Sequence, residues 1–456
     1  MHAAWIWLTV VITLKLLHCV MMLACTLRFL RGRWEPRSKS TGTHEVTVGP
    51  VTLYVLVPLL REQRALPQLF AQFAPQLRTV PHTYLVLVTT EREVLEPGPR
   101  RCHRTTMDVL RELLAGHPEM ASRVLHYHFP GYNSVVAEQL NYAVSQLVQR
   151  AGSALEGQYL AVYNADSVID EKTLITLQEC ARSRLPVMQQ SSLFLANVPF
   201  LLKMGRYYTA MHGIYQSCWT LQHEIPRYLF ARRFFSILPR WIELCALVHC
   251  VTHGLLIRLD VISRLNGFPV LASGGEDLAL GLLLRAHGYE VVPIPALENS
   301  ETPERAGVLW RQLAGWFLAT LGYWWYWRLV PSRVLRSNAG PVVAITILGI
   351  LDSFKWLTKG FLVLAYLALS LIAGHVALGF TLYAAYVYVP FAAVLWLWKH
   401  LPPKSFPPPP WRRLAHVGVL FWTVLIVRSG PPVLGLWWAI KLGLGMPFVK
   451  PKTERE

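Results

Sequence analysis

Two short polar clusters in this chain are the strongest candidates for chemistry. Asn164-Ala165-Asp166-Ser167 follows the apolar run QYLAV. An aspartate with a neighbouring amide at the end of a strand can hold a divalent cation, which in turn holds phosphate oxygens. The same four residues also suit an Asx-type turn that merely ends the strand. Gly274-Gly275-Glu276-Asp277 precedes the amphipathic stretch LALGLLLRAHGYEVVPIP. A carboxylate at a helix N-terminus stays ionised and suits a general base, whereas first-turn capping explains Glu276 and Asp277 equally well. A third segment, His126-Tyr127-His128-Phe129-Pro130-Gly131-Tyr132-Asn133, leads into a helix carrying Gln139 and Asn141. Its polar groups could meet a nucleotide phosphate or sugar hydroxyls, or simply cap and solvate the helix. Cys245, His249, Cys250 and His253 have metal-binding side chains without the tight cysteine pair of a structural zinc site, so packing is the favoured reading.

These clusters need a scaffold. VTLYVLVP at 51–58, TYLVLVTT at 83–90 and QYLAVYNAD at 158–166 read as buried strands, with a helical stretch after Pro58. Strand, helix, strand in this order predicts an α/β layer with a mainly parallel sheet. Ligands of such sheets bind beyond the carboxyl ends of the strands, where Glu62, Thr89-Thr90-Glu91 and Asn164 to Ser167 stand.

The remainder of the chain is membrane-like. It has 456 residues, of which 53 % are hydrophobic and 16 % charged, and its mean hydropathy is +0.33. That excludes a small disulfide scaffold and a largely disordered chain. Seven cysteines without a regular framework agree. The formal net charge of +17 lacks a long basic tract or a reader motif, so anionic lipid, not nucleic acid, is the expected partner for the basic residues. Residues 5–27 read as a retained span followed by Arg28, Arg31, Arg33, Arg37 and Lys39, which predicts that this end faces the cytoplasm. The stretch Gly360–Trp398 has no Asp, Glu, Lys or Arg and predicts two crossings with a tight turn near Gly374 and His375. Lys399, Lys404, Arg412 and Arg413 then return to the side of residues 28–39. Residues 340–351 form a short apolar run that lies at the interface or completes a span, and Leu414–Ile440, broken around Arg428 to Pro432, reads as one kinked span or a re-entrant hairpin. The tryptophan-dense segment 306–330 predicts a helix at headgroup depth, with an ordinary core helix as the alternative. The spans are too few beside so large a soluble part to suggest a transporter.

Taken in order, VPLLREQRALPQLF, GYNSVVAEQLNYAV, YNADS, GGEDLALGLLLRAHGYEVVPIP and WRQLAGW resemble the membrane-integrated family 2 glycosyltransferases. That GT-A group includes cellulose, chitin and hyaluronan synthases, ceramide glucosyltransferases and polyprenyl-phosphate sugar transferases. The resemblance covers roughly residues 50–320. It implies a Rossmann-like GT-A cytosolic domain over 48–305, between an N-terminal transmembrane helix at 1–30 and interface helices at 306–335, with a transmembrane region at 340–441 and a tail at 442–456. It implies transfer of a sugar from a nucleotide sugar, UDP-linked, to a lipid-linked or saccharide acceptor, with Mg²⁺ or Mn²⁺ as cofactor. Asp166 then binds the cation, Asp277 is the catalytic base and Glu276 shapes its loop. Glu62, Glu91, Asn141, Asn164, Gln312 and Trp316 contact substrate. The implied location is the bacterial inner (plasma) membrane with the catalytic domain in the cytoplasm, and an oligomer is compatible with it.

Three departures accompany the resemblance. Asn164 stands where an aspartate is usual, Thr89-Thr90-Glu91 where an aspartate often contacts the base, and Gly315 where the Q-x-x-R-W signature has arginine. Together they leave open a catalytically silent GT-A scaffold that binds nucleotide or partner subunits.

Overall fold

The computed structural model describes residues 2–33, 51–95, 104–132, 135–233, 246–271, 273–421, 428–444 and 446. Seven strands form one sheet: β1 (Thr52–Pro58), β2 (Thr83–Thr90), β3 (Val124–Phe129), β4 (Gln158–Val162), β5 (Val187–Leu193), β6 (Leu255–Arg258) and β7 (Val292–Asn299). Their order is β3-β2-β1-β4-β6-β5-β7. Only β6 runs against its neighbours, so the carboxyl ends of the other six share one edge.

The central strands are apolar on both faces because helices cover both. Leu53, Val55 and Val57 of β1 pack with helix Ala65–Thr79 on one side, while Tyr54 and Leu56 pack with helix Val136–Ala151 on the other. A continuous apolar run is the sequence signature of such a two-sided strand. This mixed, mainly parallel sheet, flanked by long apolar helices toward both ends of the chain, is a Rossmann-like GT-A fold. The runs at 51–58 and 83–90 end where expected, but the run at 158–166 leaves the sheet after Val162. Residues beyond it turn to meet the end of β7, where Val168 and Asn299 exchange backbone hydrogen bonds of 2.8 and 2.9 Å.

Three helices among the described residues are long and apolar enough to cross a membrane: His2–Gly32, Ser332–Ile372 and Val376–His400. The last two are joined at Gly374, whose φ of +73° suits glycine. The apolar run 340–351 is therefore part of the second long helix. Trp5 stacks on His375 at 4.2 Å and donates to Ser370 Oγ at 3.1 Å, tying the first helix to this hairpin. Near its other end, Thr26 donates to the Leu221 carbonyl at 2.8 Å and so docks it on the sheet domain.

The C-terminal apolar region holds helices Trp411–Phe421 and Gly430–Gly443. At 1.5 Å per residue the second spans about 21 Å, short of a hydrocarbon core. It instead lies along helix Ala306–Leu321, where a Cβ at Gly435 would come within 2.6 Å of the Ala314 carbonyl oxygen. The helix Ala306–Leu321 buries Leu309, Leu313 and Phe317 against protein. Exposed tryptophans, Trp324, Trp325 and Trp327, come in the short turns after it.

Candidate active site

A cleft of about 1040 Å³ opens at the carboxyl edge of the sheet. Asp166 reaches it from the turn after β4. The Ser167 hydroxyl accepts from the Asn164 N–H at 3.1 Å, and Ser167 N–H donates to the Asn164 carbonyl at 3.2 Å. Ser167 therefore closes the turn, and both Asn164 and Asp166 line the cleft.

Glu276 and Asp277 reach the same cleft from the first turn of helix Glu276–Ala286. The Asp277 Oδ1 accepts from Leu278 N–H at 2.9 Å, which fixes the carboxylate at the helix N-terminus. Gly275 stands immediately before, with φ of +93°, and a Cβ there would lie 2.3 Å from Tyr326 Oη and 2.8 Å from Ala319 Cβ. Tyr326 Oη itself donates to the Ala319 carbonyl at 2.8 Å. The loop that leads to Asp277 is thus seated on the helix that carries Gln312 and Trp316, two more cleft residues. Gln312 Oε1 is buried with no hydrogen-bond partner among the described residues. Gly275→Ala should cost about 1–3 kcal/mol from the left-handed backbone alone and slow any reaction that uses Asp277. Thermal unfolding and turnover of this variant check it, and an unchanged midpoint would mean that the loop is not held by this contact.

Glu62 lines the cleft on the loop after β1, where its N–H donates to Thr106 Oγ1 at 2.9 Å. Glu91 and Asn141 lie apart from the cleft lining. Glu91 Oε2 is 2.8 Å from His128 Nε2, whose Nδ1 meets Thr89 Oγ1 at 2.9 Å. Asn141 is occupied with Phe268: it donates to the carbonyl at 2.8 Å and accepts from the N–H at 2.6 Å. This holds the turn at Gly267, a structural use that a polar residue on an amphipathic helix does not reveal in sequence. Asn133 and Cys245 are outside the described residues.

The structure adds residues that spacing alone does not single out. Beneath the Asp166 turn, Glu298 is fully buried and accepts from Ser192 Oγ at 3.0 Å and Ser300 Oγ at 3.2 Å. Its Oε2 lies 3.3 Å from His253 Nδ1. Burial opposes a charge on His253, but the Glu298 carboxylate overcomes it and raises His253 to about 9, with Asp166 adding to the rise. The same pairing depresses Glu298 against its own burial. The sign follows from linkage. His253 contributes stability that is complete below about 6.5, its ordinary value, and is lost as the pH climbs through 9. Glu298 contributes stability present above about 4.5 and lost as the pH falls through its depressed value. Glu298→Gln should flatten this dependence, which unfolding midpoints between pH 5 and 9.5 would reveal; a parent-like slope would exclude the pair as its origin.

His249 also differs from a metal ligand in its surroundings. Burial drives it down to about 3, and its Nδ1 meets Tyr323 Oη at 2.9 Å. No group of three or more His, Cys, Asp or Glu side chains poised for a metal occurs among the described residues. Asn164 and Asp166 nevertheless both line the cleft, and a carboxylate with an amide oxygen is a hard-oxygen donor type that suits Mg²⁺ or Mn²⁺ where phosphates supply further ligands.

No family model and no curated protein matches the chain. Among solved structures it is similar to the mannosyltransferase PcManGT from Pyrobaculum calidifontis in complex with GDP-Man and Mn²⁺, at 15 % identity over 92 % of this chain and 97 % of that one, with a TM-score of 0.41. It is also similar to S. aureus TarS 1–349, at 10 % identity over 87 % and 93 % with a TM-score of 0.39. The same TarS segment in complex with UDP gives 9 % identity, the same coverage and a TM-score of 0.38.

Proposed function

We propose that the chain is an inverting glycosyltransferase that moves a sugar from a nucleotide sugar, UDP-linked, to a hydroxyl on a lipid-linked or saccharide acceptor at the membrane. The observation that carries this reading is the presence of Asp166 and Asp277 in one cleft although they stand 111 positions apart in the chain. Asp277 takes the acceptor hydroxyl proton as that oxygen forms a bond to the anomeric carbon. The bond from that carbon to the diphosphate oxygen breaks on the opposite face, and UDP leaves with the electron pair. Glu276 shapes the loop around the base. Gln312 donates a hydrogen bond and Trp316 offers a flat apolar face to the acceptor sugar, while Glu62 meets substrate from the loop after β1. Asp166 and Asn164 would hold Mg²⁺ or Mn²⁺, which when bound supplies positive charge for the departing diphosphate.

The basic residues Arg28, Arg31 and Arg33 after the first long helix support a cytoplasmic position for the sheet domain. The test is release of UDP from a panel of UDP-sugars by the full chain in detergent with native lipid. Release with a glycosylated product is the expected result. No release from any donor, with UDP still bound, would favour the silent scaffold for which Asn164 and Gly315 are the motive.

A further inference from the structure

Away from Asp166 and Asp277, the cleft continues between the sheet domain and the long helices, where Lys355, Lys359 and Arg428 line it together with the carboxylates of Glu224 and Asp352. Lys359, on helix Ser332–Ile372, and Arg428, just before helix Gly430–Gly443, both line it. The Gly360 N–H donates to Ser429 Oγ at 2.8 Å and so holds the two cation-bearing segments side by side. Arg428 is only 9 % exposed. Its guanidinium lies 4.3 Å from the ring centre of Tyr215 and 5.7 Å from that of Trp356, and it donates to Gln216 Oε1 at 3.3 Å. Its Nε has no hydrogen-bond partner among the described residues. Lys359 Nζ meets Tyr215 Oη at 3.3 Å and sits 5.6 Å over the Tyr386 ring.

Neither cation forms a salt bridge among the described residues. The nearby Asp352 is shared between Arg227 at 3.0 Å and Lys355 at 2.8 Å. A buried guanidinium and a half-buried ammonium facing one cavity, with no carboxylate partner among the described residues, are costly to the fold alone, and an anion restores the balance. A guanidinium fork beside an ammonium matches the oxygens of a phosphate. The aromatic walls and the place of Lys359 on a membrane-length helix indicate an anion that arrives attached to an apolar chain.

We propose that Lys359 and Arg428 form a subsite for a phosphate group borne by a lipid, so that the acceptor is an anionic, phosphate-bearing amphiphile. The term acceptor rests on the transferase reading of the cleft; the phosphate subsite itself does not.

Equilibrium binding by the full chain in detergent tests it, with farnesyl phosphate, farnesol and UDP with Mn²⁺ as probes. The parent should prefer farnesyl phosphate over farnesol by about tenfold or more. Lys359→Met and Arg428→Met should each erase most of that preference while UDP affinity stays at the parent value, which also shows that the variants fold. Lys359→Arg, which keeps the charge, should retain it. An unchanged preference in the methionine variants overturns the proposal. So does a fall in UDP affinity with the preference kept, which would assign these cations to the donor diphosphate. Farnesyl phosphate binding by a parent that releases no UDP from any donor would sink the transferase reading and leave the subsite standing.

Discussion

Asp277→Asn is expected to lower turnover by about 10²–10⁴-fold, the usual contribution of a positioned general base, while the affinity for UDP stays near that of the parent. The substitution keeps shape and retains an oxygen that can accept from Leu278 N–H, as Asp277 Oδ1 does at 2.9 Å. The helix N-terminus should therefore stay in place, and the loss should fall on the chemical step. Turnover from UDP release and affinity from calorimetry separate the two quantities. A variant that transfers sugar at the parent rate would remove Asp277 as the base, and one that loses both turnover and UDP would point to a structural role in first-turn capping.

Asp166→Ala is expected to abolish the cation dependence of nucleotide binding, weakening UDP by about 10- to 100-fold in the presence of Mn²⁺, as loss of a charged ligand implies. The turn itself should survive, because Ser167 closes it and Val168 pairs with Asn299. Calorimetric titrations of UDP with and without Mn²⁺ read the effect directly. Equal binding in both conditions by the parent would mean that Asp166 and the neutral oxygen of Asn164 do not gather a cation. Parent-like cation dependence in the variant would place the cation elsewhere.

Much of the scaffold was legible because its physical causes are local. Strands buried on both faces are usually apolar along most of their length, so VTLYVLVP and TYLVLVTT announce themselves and their ends. Long stretches without charge mark the membrane-length helices, and a glycine with positive φ marks the turn between two of them at Gly374. The clusters at 164–167 and 274–277 stand out for the same reason, as polar residues where an apolar run stops. Other elements gave no such signal. The strand β5, VMQQSSL, is buried throughout yet polar at its centre, where Gln189 and Ser192 bond within the interior.

What the amino-acid sequence determined by itself is thus the α/β alternation, the apolar helices and the two acidic clusters, all properties of residues within one turn or strand of each other. The tertiary structure alone decided that the cleft brings Asp166, Asp277, Gln312 and Trp316 together and leaves Glu91 and Asn141 outside its lining. It also decided that the Glu298 carboxylate pairs with His253 and that the segment of Lys359 lies beside that of Arg428, 69 positions further on. Convergence of this kind depends on strand order and helix packing, and the energy of a buried charge depends on whichever distant side chain happens to face it.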